Sequence, residues 1–430
     1  MTMARQNANP TVLVVSTSRW FPIARLAIAL ADAGCRVEAV CPPRDPLSKS
    51  GAVERVHAYS GVMPLRALRR AILASHPSLV VPGDDLSVRH LHALFASERM
   101  RGADGTAVCE LIERSFGPAE SFPVVETRAE FMRLAQDEGV RIPESAELGS
   151  PDDLLAWFTR TGFPAVLKVN GTSGGEGVRI VRNLREAEET FRALSAPPLL
   201  ARALKRLVVK HDNSLLRRAV LRRCSTVSVQ SFITGREATS ALACWEGEVL
   251  AGLHFEVLQK THAFGPATVM HRIAHPEMIE AAEKIVRRLH LSGLHGLDYM
   301  IEDGTEKAYL IEINPRATQV GHLAYGEGHD LPTALHAVVA GQPIIAENSS
   351  TANDTVALFP QEWLRDPRSP WLRSAHHDVP WEAPALLRAC LRRRPKRAAW
   401  PITEAQNQSS INSRPSPVVQ LAKSNRDLDF

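Results

Sequence analysis

Residues 307–316 read KAYLIEINPR, and few stretches of this chain leave it less choice of fold. Apolar and polar residues alternate with a period of two, which predicts a strand ended by Pro315 and Arg316. Regular alternation puts Tyr309, Ile311 and Ile313 on one face, and Leu310, Glu312 and Asn314 on the other. Glu312 brings carboxylate oxygens and Asn314 a carbonyl oxygen, donors of the hard type that magnesium takes. A solvated strand face carries the same pattern, so a metal site needs a second carboxylate.

Residues 296–301, GLDYMI, supply one. They read as another strand, with Asp303-Gly304 marking the reversal. A two-residue turn at Asp303-Gly304 sets Asp298 opposite Tyr309, on the wrong face. An odd-length loop such as 303–307 sets Asp298 opposite Glu312. The metal reading, with Asp298, Glu312 and Asn314 as ligands, therefore demands the odd loop.

Two further blocks carry chemistry. In residues 163–181, FPAVLKVNGTSGGEGVRIV, a strand delivers Lys168 and then opens into a loop with Gly171, Thr172, Ser173, Gly174 and Gly175. Glycines let backbone N–H groups wrap phosphate oxygens, and a lysine adds a point charge. The loop joins strand to strand, unlike a P-loop, which opens a helix with Gly-Lys-Ser/Thr. A ligand-free glycine-rich hairpin is the plain alternative. In residues 227–239, VSVQSFITGREAT, a strand leads through Thr234-Gly235 into another.

Together these blocks resemble the ATP-grasp superfamily, whose members couple ATP to carboxylate chemistry, usually joining a carboxylate to an amine. The resemblance spans about residues 11–345 and implies ATP and Mg²⁺ (or Mn²⁺) as cofactors. It implies that Gln230, the Ile233 backbone and Glu237 meet adenine and ribose, although the acid common beside the Gln230-Ser231 pair is missing. Arg128 stands where a phosphate-contacting lysine is usual; arginine keeps the charge and changes the geometry. Lys168 and Arg316 are implied as the catalytic cations, Arg316 gripping a carboxylate or acyl phosphate through its planar fork. His271 and Arg272 are weaker candidates for the same task.

The expected fold class is α/β (α+β). Strand–helix alternation predicts a Rossmann-like N-terminal domain over 1–125, with Asp84 and Asp85 at a strand end where such sheets bind ligands. A two-lobed ATP-grasp domain follows over 126–345, its lid spanning about 166–230 with a basic insertion at 199–223. The remainder, 346–430, is an extension with a basic segment at 382–398 and a polar end expected to be disordered. A membrane surface or acidic partner is conceivable for the basic segments, and a solvated face is the plainer reading.

Composition narrows the classes. A net charge of +4 is too small to argue for nucleic acid. Cysteines 35, 41, 109, 224, 244 and 390 show no metal-ligand spacing, which fits reduced thiols in a cytoplasm. The first ten residues lack the apolar core of a signal peptide. The expected function is an ATP-dependent carboxylate–amine ligase acting on small molecules, of unspecified oligomeric state. The alternatives are a bicarbonate-activating enzyme of the biotin carboxylase or carbamoyl phosphate type, and a non-catalytic ATP-binding protein.

Overall fold

The computed structural model describes residues 9–169, 177–196, 226–344, 351 and 353–391. Strands β1 (Thr11–Val15), β2 (Arg36–Cys41), β3 (Val53–Ala58) and β4 (Leu79–Pro82) form a parallel sheet in the order β3-β2-β1-β4. β1 is apolar throughout because both its faces are covered. Val12 and Val14 pack with the helix Phe21–Asp32, whereas Leu13 and Val15 pack with the helices Pro64–Ser75, Asp85–Arg99 and Thr106–Phe116.

A second, antiparallel sheet joins β5 (Ser145–Leu148), β6 (Ala165–Val169), β7 (Val178–Val181) and β8 (Val227–Ser231) in the order β5-β8-β6-β7. Leu167, Val169, Val227 and Val229 pack on the helices Pro151–Thr161 and Leu184–Ser195 through Trp157, Phe158 and Phe191. Alternation therefore turns Lys168 and Gln230 to the opposite face. The loop residues Gly171, Thr172, Ser173, Gly174 and Gly175, the basic stretch 199–223 and residues 392–398 of the second basic segment lie outside the described residues.

The third sheet has seven strands in the order β13-β12-β9-β10-β11-β14-β15. They are β9 (Gly235–Trp245), β10 (Glu248–Lys260), β11 (Ala267–Arg272), β12 (Gly293–Glu302), β13 (Ala308–Asn314), β14 (Thr355–Leu358) and β15 (His376–Asp378). Glu246 and Gly247, both at positive φ, make the tight β9–β10 turn. β14 and β15 come from beyond residue 345, so the stretch expected as an appended extension completes the large sheet. The N-terminal sheet is not cored alone either: Val12 and Val14 share one apolar cluster with Leu253, Phe255, Val320 and Leu335.

The β12–β13 hairpin corrects the odd-loop expectation. Glu302 N–H donates to Lys307 O at 2.9 Å, so the turn is the four residues 303–306. From there Tyr299 faces Leu310, and then the register shifts, so that Asp298 faces Glu312 and Gly296 faces Asn314. The shift is a bulge that passes over Ile311. It also overturns the regular alternation: Leu310 turns into the apolar core with Tyr299, away from Glu312 and Asn314.

A buried ionic knot ties β15 to the N-terminal unit. Asp378 accepts from Arg25 Nη2 at 2.7 Å and lies 2.9 Å from His322 Nε2. Burial works against this carboxylate, but His322 and Arg25 outweigh it and hold its pKa down at about 2. A depressed acid contributes fully above its ordinary value of 3.8 and loses that contribution as pH falls toward 2. Asp378→Asn is expected to cost roughly 3 kcal/mol at neutral pH, because Arg25 is left without its buried counter-charge. Urea titrations from pH 6 to pH 2 should show the gap between wild type and variant closing only below pH 4.

Candidate functional site

The site is built where β12 and β13 present one face toward β6 and β8. Asp298 accepts from Thr239 Oγ1 at 2.8 Å and from Asn314 Nδ2 at 2.9 Å. Thr239 lies directly across β9 from Asp298. Glu312, facing Asp298 across the hairpin, is paired with Arg128 Nη2. Arg128 opens the helix Arg128–Asp137, which packs on β13. Gly296 lets the following segment close over the strand: a Cβ there would lie 2.4 Å from Thr318 Cγ2.

Lys168, only 7% exposed, donates to Gln230 Oε1 at 2.5 Å. Burial pushes its pKa down to about 7, Arg128 adds to the push, and Glu312 and Asp298 oppose it. Desolvation raises the Asp298 carboxyl to about 6, with Glu312 adding like-charge repulsion, against hydrogen bonds from Thr239 and Asn314. Lys168, Arg128, Asp298 and Glu312 thus feel one another although they come from separate elements.

Arg316 is clamped on its edges. Nε donates to Asp85 Oδ1 at 2.6 Å, Nη2 to Asn314 Oδ1 at 3.1 Å and Nη1 to Ala317 O at 3.3 Å. Its guanidinium carbon lies 5.9 Å from the Trp20 ring centroid. Asp84, in contrast, is consumed locally: it accepts from Thr17 N and Oγ1 and caps the helix Asp85–Arg99.

Of the residues expected to act, Lys168, Gln230, Arg128, Asp298, Glu312, Asn314 and Arg316 are linked in this one network. Glu237 lies two residues from Thr239 on β9, on the same face, and its carboxylate is ion-paired with Lys260 Nζ at 2.5 Å. Ile233 sits in the three-residue link between β8 and β9, which belong to different sheets. His271 and Arg272 lie elsewhere. His271 meets Thr355 Oγ1 and Arg272 pairs with Asp354, with β9 and β10 between β11 and β12. Thr239, Trp20 and Lys260 are additions that the motifs alone did not mark, whereas Asp85, marked only as lying at a strand end, is found on Arg316.

The donor set is two carboxylates and an amide oxygen, which suits a magnesium ion shared with phosphates. Among the described residues no trio of His, Cys, Asp and Glu gathers for a softer metal. The Arg128–Glu312 pair shows that the Glu312 carboxylate already holds a cation. These residues therefore fit Mg²⁺.

Lys168 with a pKa near 7 titrates far below the ordinary 10.5. After reductive ¹³C-methylation, its dimethylamine resonance is expected to move with a midpoint about three units below those of exposed lysines. Glu312→Gln should move that midpoint lower still, by removing an anion that favours the ammonium.

Comparison with known proteins bears on the family and the fold. The model of the carbamoyl-phosphate synthase L chain, ATP binding domain, matches residues 127–343, just over half of the chain. The carbamoyl phosphate synthase large chain of Thermus thermophilus is 24% identical over 327 residues, covering 66% of this chain and 30% of that protein. The chain thus spans less than a third of that relative's length. Among solved structures, N5-carboxyaminoimidazole synthetase from Staphylococcus aureus, complexed with ADP, aligns with a TM-score of 0.55 at 13% identity. That alignment covers 80% of this chain and 81% of the synthetase. The biotin carboxylase domain of Hydrogenobacter thermophilus 2-oxoglutarate carboxylase, with MgADP, ADP and bicarbonate, aligns with a TM-score of 0.54 at 14% identity. It covers 79% of this chain and 71% of that one. At such identities the structures speak for the fold: a parallel N-terminal sheet followed by the antiparallel sheets of an ATP-grasp protein. By its sequence over 127–343 and by its fold, the chain belongs to the carbamoyl-phosphate synthase L chain ATP-binding family of the ATP-grasp superfamily.

Proposed function

We propose that this chain is an ATP-dependent ligase that activates a carboxylate as an acyl phosphate for attack by an amine or similar nucleophile. The observation that carries the reading is the pairing of Asp298 with Glu312 close to Lys168 and Arg128, two anions and two cations gathered from four elements. Asp298, Glu312 and Asn314 would hold Mg²⁺, which supplies charge neutralisation on the nucleotide phosphates when bound. Lys168 and Arg128 would take phosphate oxygens, with Gly171, Thr172, Ser173, Gly174 and Gly175 wrapping them. Gln230, Ile233 and Glu237 would receive adenine and ribose. Arg316 would hold the substrate carboxylate and the charge growing on its acyl phosphate.

The protein's part is positioning and electrostatics. Arg128 must release Glu312 as nucleotide and metal arrive, and phosphate oxygens give it a new anionic partner. The attacking amine needs to arrive unprotonated, and its proton leaves to solvent or to phosphate. Small-molecule substrates suffice for this chemistry. Among the described residues no helix is long and apolar enough to cross a membrane.

A second reading takes bicarbonate as the carboxylate, supported by the bicarbonate in the Hydrogenobacter biotin carboxylase domain. A third, binding without turnover, draws on the Arg128–Glu312 pair, which places a cation on a metal ligand. Release of ADP and phosphate from Mg-ATP, with pooled amino acids, dipeptides or bicarbonate, separates the three. The ligase reading expects release that depends on an organic carboxylate pool and falls at least about a hundredfold in Glu312→Gln. Release with bicarbonate alone would favour the second reading. Nucleotide binding with no release from any pool would favour the third.

A further inference from the structure

The turn after β4 carries two aspartates with different employment. Asp84 and Ser87 complete a reciprocal capping box at the start of the helix Asp85–Arg99, so the side chain of Asp85 is not needed for the cap. That side chain instead reaches Arg316, 231 residues away in sequence, with Nε donating at 2.6 Å. An arginine has five N–H donors. Asp85, Asn314 Oδ1 and Ala317 O occupy one on each nitrogen, which leaves one on Nη1 and one on Nη2. The Trp20 ring covers the guanidinium at 5.9 Å and restricts its swing.

We propose that Asp85 is a positioning residue for Arg316, fixing the guanidinium so that its two spare N–H donors meet the transferred phosphoryl group. The inference rests on the reading of Arg316 as the anion-holding cation of an ATP-dependent ligase. A flexible arginine loses side-chain entropy on gripping an anion, and one already held at its Nε edge loses less. A carboxylate at the Nε edge fixes the fork without occupying its remaining donors. Since Asp85 belongs to the N-terminal unit and Asn314 to the metal-bearing hairpin, the same guanidinium joins both to the reacting phosphoryl group.

The test uses the full chain, MgADP and inorganic phosphate, so no substrate need be known. Calorimetry measures MgADP binding first, then phosphate binding to the MgADP-loaded protein. Asp85→Asn is expected to weaken phosphate at least tenfold while MgADP affinity stays within twofold. Asp85→Glu, which keeps the charge, should recover most of the loss. Arg316→Gln should lose as much as Asp85→Asn, and the double variant no more than Arg316→Gln alone. A merely structural bridge would instead lower MgADP affinity and thermal midpoint together with phosphate affinity. Should Asp85→Asn not fold, Asp85→Ser repeats the test with a residue well suited to a helix start. Unchanged phosphate affinity without the carboxylate, additive losses in the double variant, or a wild type that binds MgADP but no phosphate would each overturn the positioning role. A wild type that fails to bind MgADP would sink the nucleotide-site reading itself.

Discussion

The site depends on the pairing of β12 with β13, and that pairing depends on one bulge. With the four-residue turn 303–306 and no bulge, Asp298 would face Ile311, and Glu312 would sit one residue out of step. Passing over Ile311 restores Asp298 to Glu312 and Gly296 to Asn314, and lets Leu310 keep its place in the core beside Tyr299. A bulge thus satisfies two demands that a regular strand cannot meet together. The apolar residues near the turn face inward, and the polar residues beyond the bulge face the cleft.

Gathering carboxylates in a cleft creates a second problem, because desolvated like charges repel. The raised pKa of Asp298 records that repulsion together with its desolvation. The chain answers with cations from three elements. Arg128 comes from a helix start, Lys168 from the small sheet and Arg316 from the end of β13. Arg316 in turn is balanced by Asp85 from the N-terminal unit. Such a network is worth little as a source of stability, since desolvation offsets most of the attraction. Its worth is geometric. Each charged group is held in place by a partner from another element: Glu312 by Arg128, Lys168 by Gln230, Asp298 by Thr239 and Arg316 by Asp85.

Much of this was legible in the sequence, and the reasons are physical. Period-two alternation marked the strand that carries Glu312 and Asn314, because a strand with one buried face must alternate. The partnership of Asp298 with Glu312 was legible as a requirement, but not the means of meeting it. A bulge leaves no composition signal, and here it doubles as the break in alternation that misplaced Leu310. Thr239 was in principle readable, two residues from Glu237 in REATS, yet nothing local says which strand lies beside it. Asp85 and Trp20 were beyond reach in their present role, since their partner is some 230 to 300 residues away. His271 and Arg272 were the weaker candidates because a basic pair looks alike in sequence whatever it faces; here the partners are Thr355 and Asp354.

The N-terminal unit is tied into the rest of the fold in three ways. One face of its sheet shares a continuous apolar cluster with β9, β10 and the helix Leu331–Ala340. On another side, Arg25 enters the Asp378 knot and so fixes β15, the last strand of the large sheet. A third connection is Asp85 to Arg316. Burial of shared apolar surface resists separation broadly, whereas the ionic contacts fix direction and register. With the parallel sheet anchored in these three ways, a displacement of the β4 turn moves Asp85, and with it the guanidinium between Asp85 and Asn314. The end of the parallel sheet is therefore joined to the segment leaving β13 twice, through Asp85 and Arg316 and through the Ala317 N–H that donates to Pro82 O at 3.1 Å.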